Sequence, residues 1–372
     1  MTNEEVFIQL LRAGIWGTET NTQGWPQTID WDNVYLIAKK QTLRGPFIDA
    51  VLQLPAEKLP PRNWYQERIK RLQAIAQENA KHHEIINELT TYFEENGIPV
   101  LLMKGVSLAA LYPHPQYRDC GDIDFYIGKD NYEKAVSLLS YEAGASQVNV
   151  VKDDKHSSIF YKDVEIELHR ITESISIPIY NKRFQNLTRK INFRAYGNKF
   201  RCSRNNTFPV QYNALYLFNH IWHHFCIYGI GMKQMCDWTL FLHHHNKEIN
   251  LAELEEDLKS IGLLKPWQMF GSIAVDVLGL PQEEFPFYTA KYARKKDIIL
   301  QLIYQDGNFG KAGNWLSKKP KNYLKRKYHS LYHWCRRLVI VAKFSKRYAL
   351  FTTIDYMGYG CKVVWNDITG KK

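Results

Sequence analysis

Between residues 98 and 169 the apolar residues of this chain change period, from the three- and four-residue steps of helices to the two-residue alternation of strands. On the N-terminal side a long helix is expected from Trp64, because Ile69, Leu72, Ala76, Ile86, Leu89 and Phe93 fall on one helical stripe. Asn96-Gly97 supplies its stop, and Pro99 prevents its continuation. Residues 98–103 (IPVLLM) are wholly apolar, as in a buried strand. Residues 104–107 then turn the chain into a short helix over 108–112. A second strand is expected where Ile123, Phe125 and Ile127 alternate with Asp122, Asp124 and Tyr126. Residues 132–139 suit a helix, and 158–161 with 164–168 suit a hairpin that turns at Lys162-Asp163. Short helices punctuated by Gly24-Trp25-Pro26 and Pro60-Pro61 precede this stretch. Helices over 210–228, 231–244, 251–261 and 267–278 follow it. The fold class is therefore α/β in the α+β sense, a small mixed sheet covered by helices.

The second strand carries the chemistry. Residues two apart on a strand face the same way, so Asp122 and Asp124 present two carboxylates side by side. Like charges that close repel unless a cation sits between them. Mg2+ takes hard oxygen ligands, commonly one or two carboxylates plus substrate phosphates, so an Asp-x-Asp strand suits a metal-bound triphosphate. A solvated edge strand is the plain alternative. At the preceding turn, Gly105 permits close backbone approach, Ser107 offers a hydroxyl and Lys104 a point charge for phosphate. Arg118 is a further phosphate candidate, or else a surface ion pair with Asp119. A third acid is expected from residues 164–169, where Glu165, Glu167 and His169 share one face. If that strand runs antiparallel to the Asp-x-Asp strand, Glu167 reaches the metals and accepts a proton from an attacking hydroxyl; Glu165 is the competing assignment.

The segment GIPVLLMKGVSLAALYPHPQYRDCGDIDFYI, followed by VEIELHR, resembles a bacterial nucleotidyltransferase family with a KG…R…DID…ELH pattern. That family is placed in the DNA polymerase β-like superfamily, and the resemblance extends more loosely from the N-terminal helices to about Leu280. It implies a metal-dependent transfer of a nucleoside monophosphate from an NTP to an acceptor hydroxyl. By similarity, Gly105 and Ser107 match the superfamily's Gly-Ser turn, Asp122 and Asp124 its metal pair, and Glu167 its third acid. The expected cofactor is Mg2+ or Mn2+. Asn79, and a helical segment with His223, His224, Lys233 and Asp237, also look like the family; these last four are candidates for an acceptor or nucleotide cleft. The turn here reads GVS rather than GS or GGS, its interval to the Asp-x-Asp is longer, and the third acid is Glu rather than Asp. The rivals are a glycosyltransferase whose Asp-x-Asp holds a sugar nucleotide, and a non-catalytic interaction protein that retains the fold.

An N-terminal helical region over 1–94, a nucleotidyltransferase core over 95–172, a helical substrate or acceptor region over 173–284 and a basic C-terminal region over 285–372 are expected. From Phe285 onward the chain has 19 Lys and Arg against 4 Asp and Glu, net +15, which exceeds the overall +11. The acceptor is a small molecule, a sugar or a protein group, and an RNA end is also open. The basic tail, interleaved with Tyr323, Tyr328, Leu331, Trp334, Leu338, Val339 and Ile340, suits either a solvated helix face or contact with an anionic membrane; nucleic acid has no motif behind it. His220 and His224 are spaced one helical turn apart, as zinc ligands can be, but neither an HExxH nor a nearby cysteine accompanies them. The triplet His243-His244-His245 is expected as a polar C-terminal helical turn. The acidic start MTNEEVFIQLLRAGIWG is unlike a signal peptide, and six cysteines without a CxxC pair read as free thiols. A cytoplasmic protein is expected, peripheral at most to the inner membrane face.

Overall fold

A computed structural model describes residues 1–142, 155–191, 207–308, 320 and 322–369. The chain opens with α1 (Asn3–Trp16), α2 (Trp31–Lys40) and α3 (Arg44–Leu52), and α1 starts in a capping box between Thr2 and Glu5. Gly45 lets α3 touch the loop before the Asp-x-Asp strand, since a Cβ there would sit 1.6 Å from the Tyr117 carbonyl oxygen.

Helix α4 (Arg62–Glu95) ends at the expected stop. Ile98 N donates to the Phe93 carbonyl at 2.8 Å and Gly97 N to that of Glu94 at 2.9 Å, the paired bonds of a left-handed glycine cap. Its buried stripe is Leu72, Ile75, Asn79, His82, Ile85, Leu89 and Phe93. Ile75 and Ile85 therefore replace the expected Ala76 and Ile86, and two polar residues occupy the middle. Apolar periodicity alone cannot register a stripe whose centre is polar; Asn79 and His82 have tasks described below.

Of the expected strand at 98–103, Ile98 and residues 100–103 are buried, yet only Leu101–Leu102 form β1, with one further bond from Met103 N to the Asp124 carbonyl at 3.0 Å. The chain then forms α5 (Val106–Ala109), β2 (Ile123–Tyr126), α6 (Tyr132–Ser137), β3 (His156–Tyr161) and β4 (Val164–His169). The strand order is β1-β2-β4-β3. The β3–β4 hairpin turns at Lys162 and Asp163, which both have positive φ, as a two-residue turn of type I′ requires. The expected direction of β4 is corrected here: it pairs parallel to β2, with Asp124 level with Glu167. The connection after β2 delivers β3 to the far edge, and the hairpin returns β4 into the middle. Strand direction depends on that route, and the register that sets Asp124 opposite Glu167 puts the two on one sheet face.

Ile123, Phe125, Ile159, Ile166 and Leu168 pack one sheet face against Ile85, Leu89 and Phe93 of α4. The other face turns toward a larger helical body, where Tyr126 meets Phe208 at 5.6 Å between ring centroids. That body contains α7 (Pro178–Arg189), α8 (Val210–Ile227), α9 (Met232–His245), α10 (Leu251–Ser260), α11 (Leu264–Ser272) and α12 (Lys296–Asp306). The basic tail forms α13 (Tyr323–Phe344) and α14 (Lys346–Thr369), and Val341, Phe344, Tyr348 and Ala349 bury it against the body. Lys318, Lys319 and Lys321 lie outside the described residues. Among those described, no helix is long and apolar enough to cross a membrane. Cys120, Cys226, Cys236 and Cys335 are free; Cys202 and Cys361 lie outside the described side chains.

Candidate active site

Donor oxygens of Asp122, Asp124 and Glu167 all lie within 4.8 Å of one another. Glu165 shares the strand face but lies two residues back, opposite Phe160, and does not join the group. Asp124 is 1% exposed. Its Oδ1 receives Lys104 Nζ at 2.6 Å and lies 3.0 Å from His169 Nε2. His169 Nε2 is also 3.1 Å from Glu167 Oε2, so one imidazole N–H is shared by two carboxylates. Burial alone would raise the Asp124 carboxyl, but Lys104 and His169 outweigh it and hold the group well below the usual range. Lys104 is likewise held charged: burial opposes its ammonium, and Asp124 and Asp122 more than compensate. Asp124 Oδ2 is buried with no hydrogen-bond partner among the described residues. A buried carboxylate oxygen left open beside two further acids fits a hard cation. The donor set is therefore suited to a metal ion.

The glycine turn that delivers Lys104 has a steric reason. Gly105 adopts φ 72° and ψ −115°, a conformation that L side chains rarely adopt. Ser107 Oγ donates to the Met103 carbonyl, across the same turn.

Three helices fasten the loop that precedes Asp122. From α4, Asn79 Nδ2 donates to the carbonyls of Gln116 and Arg118, each at 2.8 Å, and His82 bonds the backbone of Gly121. From α3, Arg44 Nη2 pairs with Asp119 Oδ1 at 2.6 Å, and Gly45 N donates to Asp119 Oδ2 at 3.1 Å. From α9, Asp237 accepts Arg118 Nε at 2.8 Å and Nη2 at 2.6 Å. Arg118 is thus a buried side chain with a bidentate partner 119 residues away, and the alternative surface pair with Asp119 does not form. Tyr112 Oη also donates to Asp237 Oδ1, at 2.8 Å. Lys233, one turn before Asp237, donates to the Asp119 carbonyl at 3.3 Å, and burial followed by Arg118 lowers its pKa.

The four residues expected to line one cleft divide into two groups. Lys233 and Asp237 stand beside Arg118, while His223 and His224 stand with His220 around Glu173. Glu173 follows β4 and is fully buried. Its Oε1 receives Lys155 Nζ at 2.7 Å, and its Oε2 is 3.1 Å from His220 Nδ1. Burial would protonate Glu173, but Lys155 and the histidines keep it ionised. Burial pushes His220 down to about 4. Tyr216, whose ring centroid is 6.2 Å from that of His220, buries its hydroxyl, and that burial raises its pKa well above the usual value. His243 and His245 pair with Glu284 and Glu248, and His244 Nε2 is 3.0 Å from the Leu111 carbonyl, which makes the triplet a helix terminus tied to its neighbours.

His169 was visible in the alternation of residues 164–169 but carried no assigned task. Tyr216 and Glu173 had no sequence signal: Tyr216 sits in an apolar helix, and Glu173 in a polar segment whose histidine partners lie 47 or more residues on.

No curated protein and no solved structure matches the chain. A family described as uncharacterised nucleotidyltransferases matches residues 27–279, from the N-terminal helices through the sheet to the end of the helical segment that carries Asp237 and the histidines. The match thus takes in both the acidic sheet face and the helices that hold it in place, and the chain belongs to this nucleotidyltransferase family.

Proposed function

We propose that the chain transfers a nucleoside monophosphate from an NTP to an acceptor hydroxyl with release of pyrophosphate, in the manner of polymerase β-like enzymes. The observation that carries this reading is the grouping of Asp122, Asp124 and Glu167, with one buried Asp124 oxygen that has no hydrogen-bond partner among the described residues. Mg2+ or Mn2+ held there would neutralise phosphate charge and lower the pKa of the acceptor hydroxyl. The chain's own residues do the rest. Lys104, at the Gly105 turn with Ser107, bridges the carboxylate face and the triphosphate. Glu167 accepts the acceptor's proton as that oxygen attacks the α-phosphorus and the bond to the bridging oxygen breaks, so pyrophosphate leaves with the electron pair. Arg118, engaged by Asp237, serves this site by holding the loop before Asp122 rather than by meeting phosphate itself. The acceptor belongs in the helical region of residues 173–284, with His223, His224 and Lys233 on its approaches.

Glu167→Gln is expected to lower kcat by about 10²–10³-fold with NTP affinity nearly unchanged, because a group used mainly in the transition state is lost. Glu165→Gln should stay within about 3-fold of wild type by the same reasoning. Steady-state kinetics of pyrophosphate release checks both, and the reverse ranking would remove Glu167 from its role.

Contact of the tail with an anionic membrane belongs to the same reading. On α13, Tyr328, Leu331, Tyr332 and Val339 are exposed among Lys325, Arg336 and Lys343, an apolar set beside basic residues that suits an anionic membrane surface. Full-length protein is expected to sediment with phosphatidylglycerol vesicles at low salt and to be released at high salt, since each basic residue contributes about 1 kcal/mol and is screened within a Debye length. No sedimentation at low salt would sink the idea.

A further inference from the structure

We propose a second metal site, for a transition-metal ion of the zinc class, formed by Glu173, His220 and His224 and separate from the carboxylate face of the sheet. Two imidazoles one turn apart on α8 face a carboxylate from the segment after β4, and one donor atom of each lies within 4.8 Å of the others. Two ligands at about 2.0–2.1 Å from a tetrahedral centre stand roughly 3.3 Å apart. His220 Nδ1 and Glu173 Oε2 are 3.1 Å apart, which suits such a pair.

The surroundings of Glu173 are those of a ligating carboxylate. Oε1 is engaged by Lys155 Nζ at 2.7 Å and by Ser174 N at 3.0 Å, which fixes the group's orientation and turns Oε2 toward the imidazoles. Gln185 Nε2 donates to the Glu173 carbonyl at 2.7 Å, and Asn181 Oδ1 accepts from Ile175 N at 3.2 Å, so α7 holds the segment rigid. Such outer partners orient a metal ligand and tune it. Two nitrogens and one oxygen select zinc, or cobalt in its place, over Mg2+, which takes oxygen donors. His223 and His224 are only partly buried, which supplies an access path for the ion. Three protein ligands leave a fourth position for water or for a group of the acceptor.

The test uses the full-length chain, stripped with chelator and titrated with Zn2+ alone and with Co2+ alone. One zinc per chain is expected to survive dialysis, and Co2+ should give the visible absorption of a tetrahedral site. His224→Asn, at a partly exposed position, should weaken Zn2+ binding at least about 100-fold, since even outer partners of a metal ligand contribute 10–100-fold. Glu173→Gln should do the same, with a thermal melt to establish that each variant folds. Asp124→Asn should leave zinc affinity unchanged, so failure of this site and failure of the nucleotidyl-transfer reading are distinguishable. Absence of stoichiometric zinc, or equal affinity in folded His224→Asn, overturns the proposal. So does a loss confined to His169→Asn, which would move the ion to His156, Glu167 and His169.

Discussion

Asp124→Asn should lower turnover by about 10²–10³-fold, the loss expected when one preorganised charged group of an active site is removed. The reason lies in what Asp124 touches. Oδ1 is the counter-charge for Lys104 at 2.6 Å and a partner of His169 at 3.0 Å, while Oδ2 is buried with no hydrogen bond among the described residues. Replacing the carboxylate by an amide removes the charge that holds Lys104 and weakens any cation shared with Asp122 and Glu167. Asp122→Asn is the companion variant, because Asp122 is only partly buried and its loss strands no buried ammonium. Pyrophosphate release with an NTP and Mg2+ measures turnover, and calorimetry measures NTP binding with and without metal. If wild type binds NTP equally well in both conditions, and Asp124→Asn behaves the same way, the metal reading is wrong and an interaction protein that keeps the fold becomes the better account. Release of a nucleoside diphosphate from a sugar nucleotide, rather than pyrophosphate from an NTP, would instead favour glycosyl transfer.

A second large effect is expected far from the carboxylates in sequence. Asp237→Ala should destabilise the protein by about 3–5 kcal/mol, the usual consequence of stranding one member of a buried ion pair. Arg118 would keep its guanidinium inside the protein with both Nε and Nη2 deprived of their acceptor, and Tyr112 would lose its acceptor as well. The pair Arg118→Met with Asp237→Leu should recover most of the loss, because an apolar pair of similar volume carries no desolvation cost. Urea denaturation of the two variants checks the claim, and a cost below about 1 kcal/mol for Asp237→Ala, the range of exposed pairs, would show that this pair is not buried. Catalysis should suffer even in the stability-rescued double variant, since the loop that leads into Asp122 loses the charged tie of Arg118 to Asp237.

Much of this arrangement was legible in local pattern, and the parts that were not share a cause. Ile98 and residues 100–103 are buried as their composition implies, but how many of them pair depends on where β2 ends, and β1 has only two residues. The α4 stripe was misread by one position at Ala76 and Ile86, because Asn79 and His82 are interior for hydrogen bonding rather than for hydrophobicity. Arg118 read as a surface or phosphate-binding residue because its partner lies on a helix that begins more than a hundred residues later.

Features with a short physical range follow from residue order alone. The two-residue period put Asp122 with Asp124, and Glu167 with His169, on common faces whatever the strand direction. The Asn96-Gly97 stop and the Gly105 turn follow from backbone sterics that a single residue sets. Tertiary structure alone decided that β4 runs parallel to β2 and brings Glu167 level with Asp124, that Asp237 neutralises Arg118, and that Glu173 closes on two histidines of α8. Each of these is a contact across a long chain separation, set by how helices bury their faces together, and no local periodicity encodes which charge will meet which across that distance.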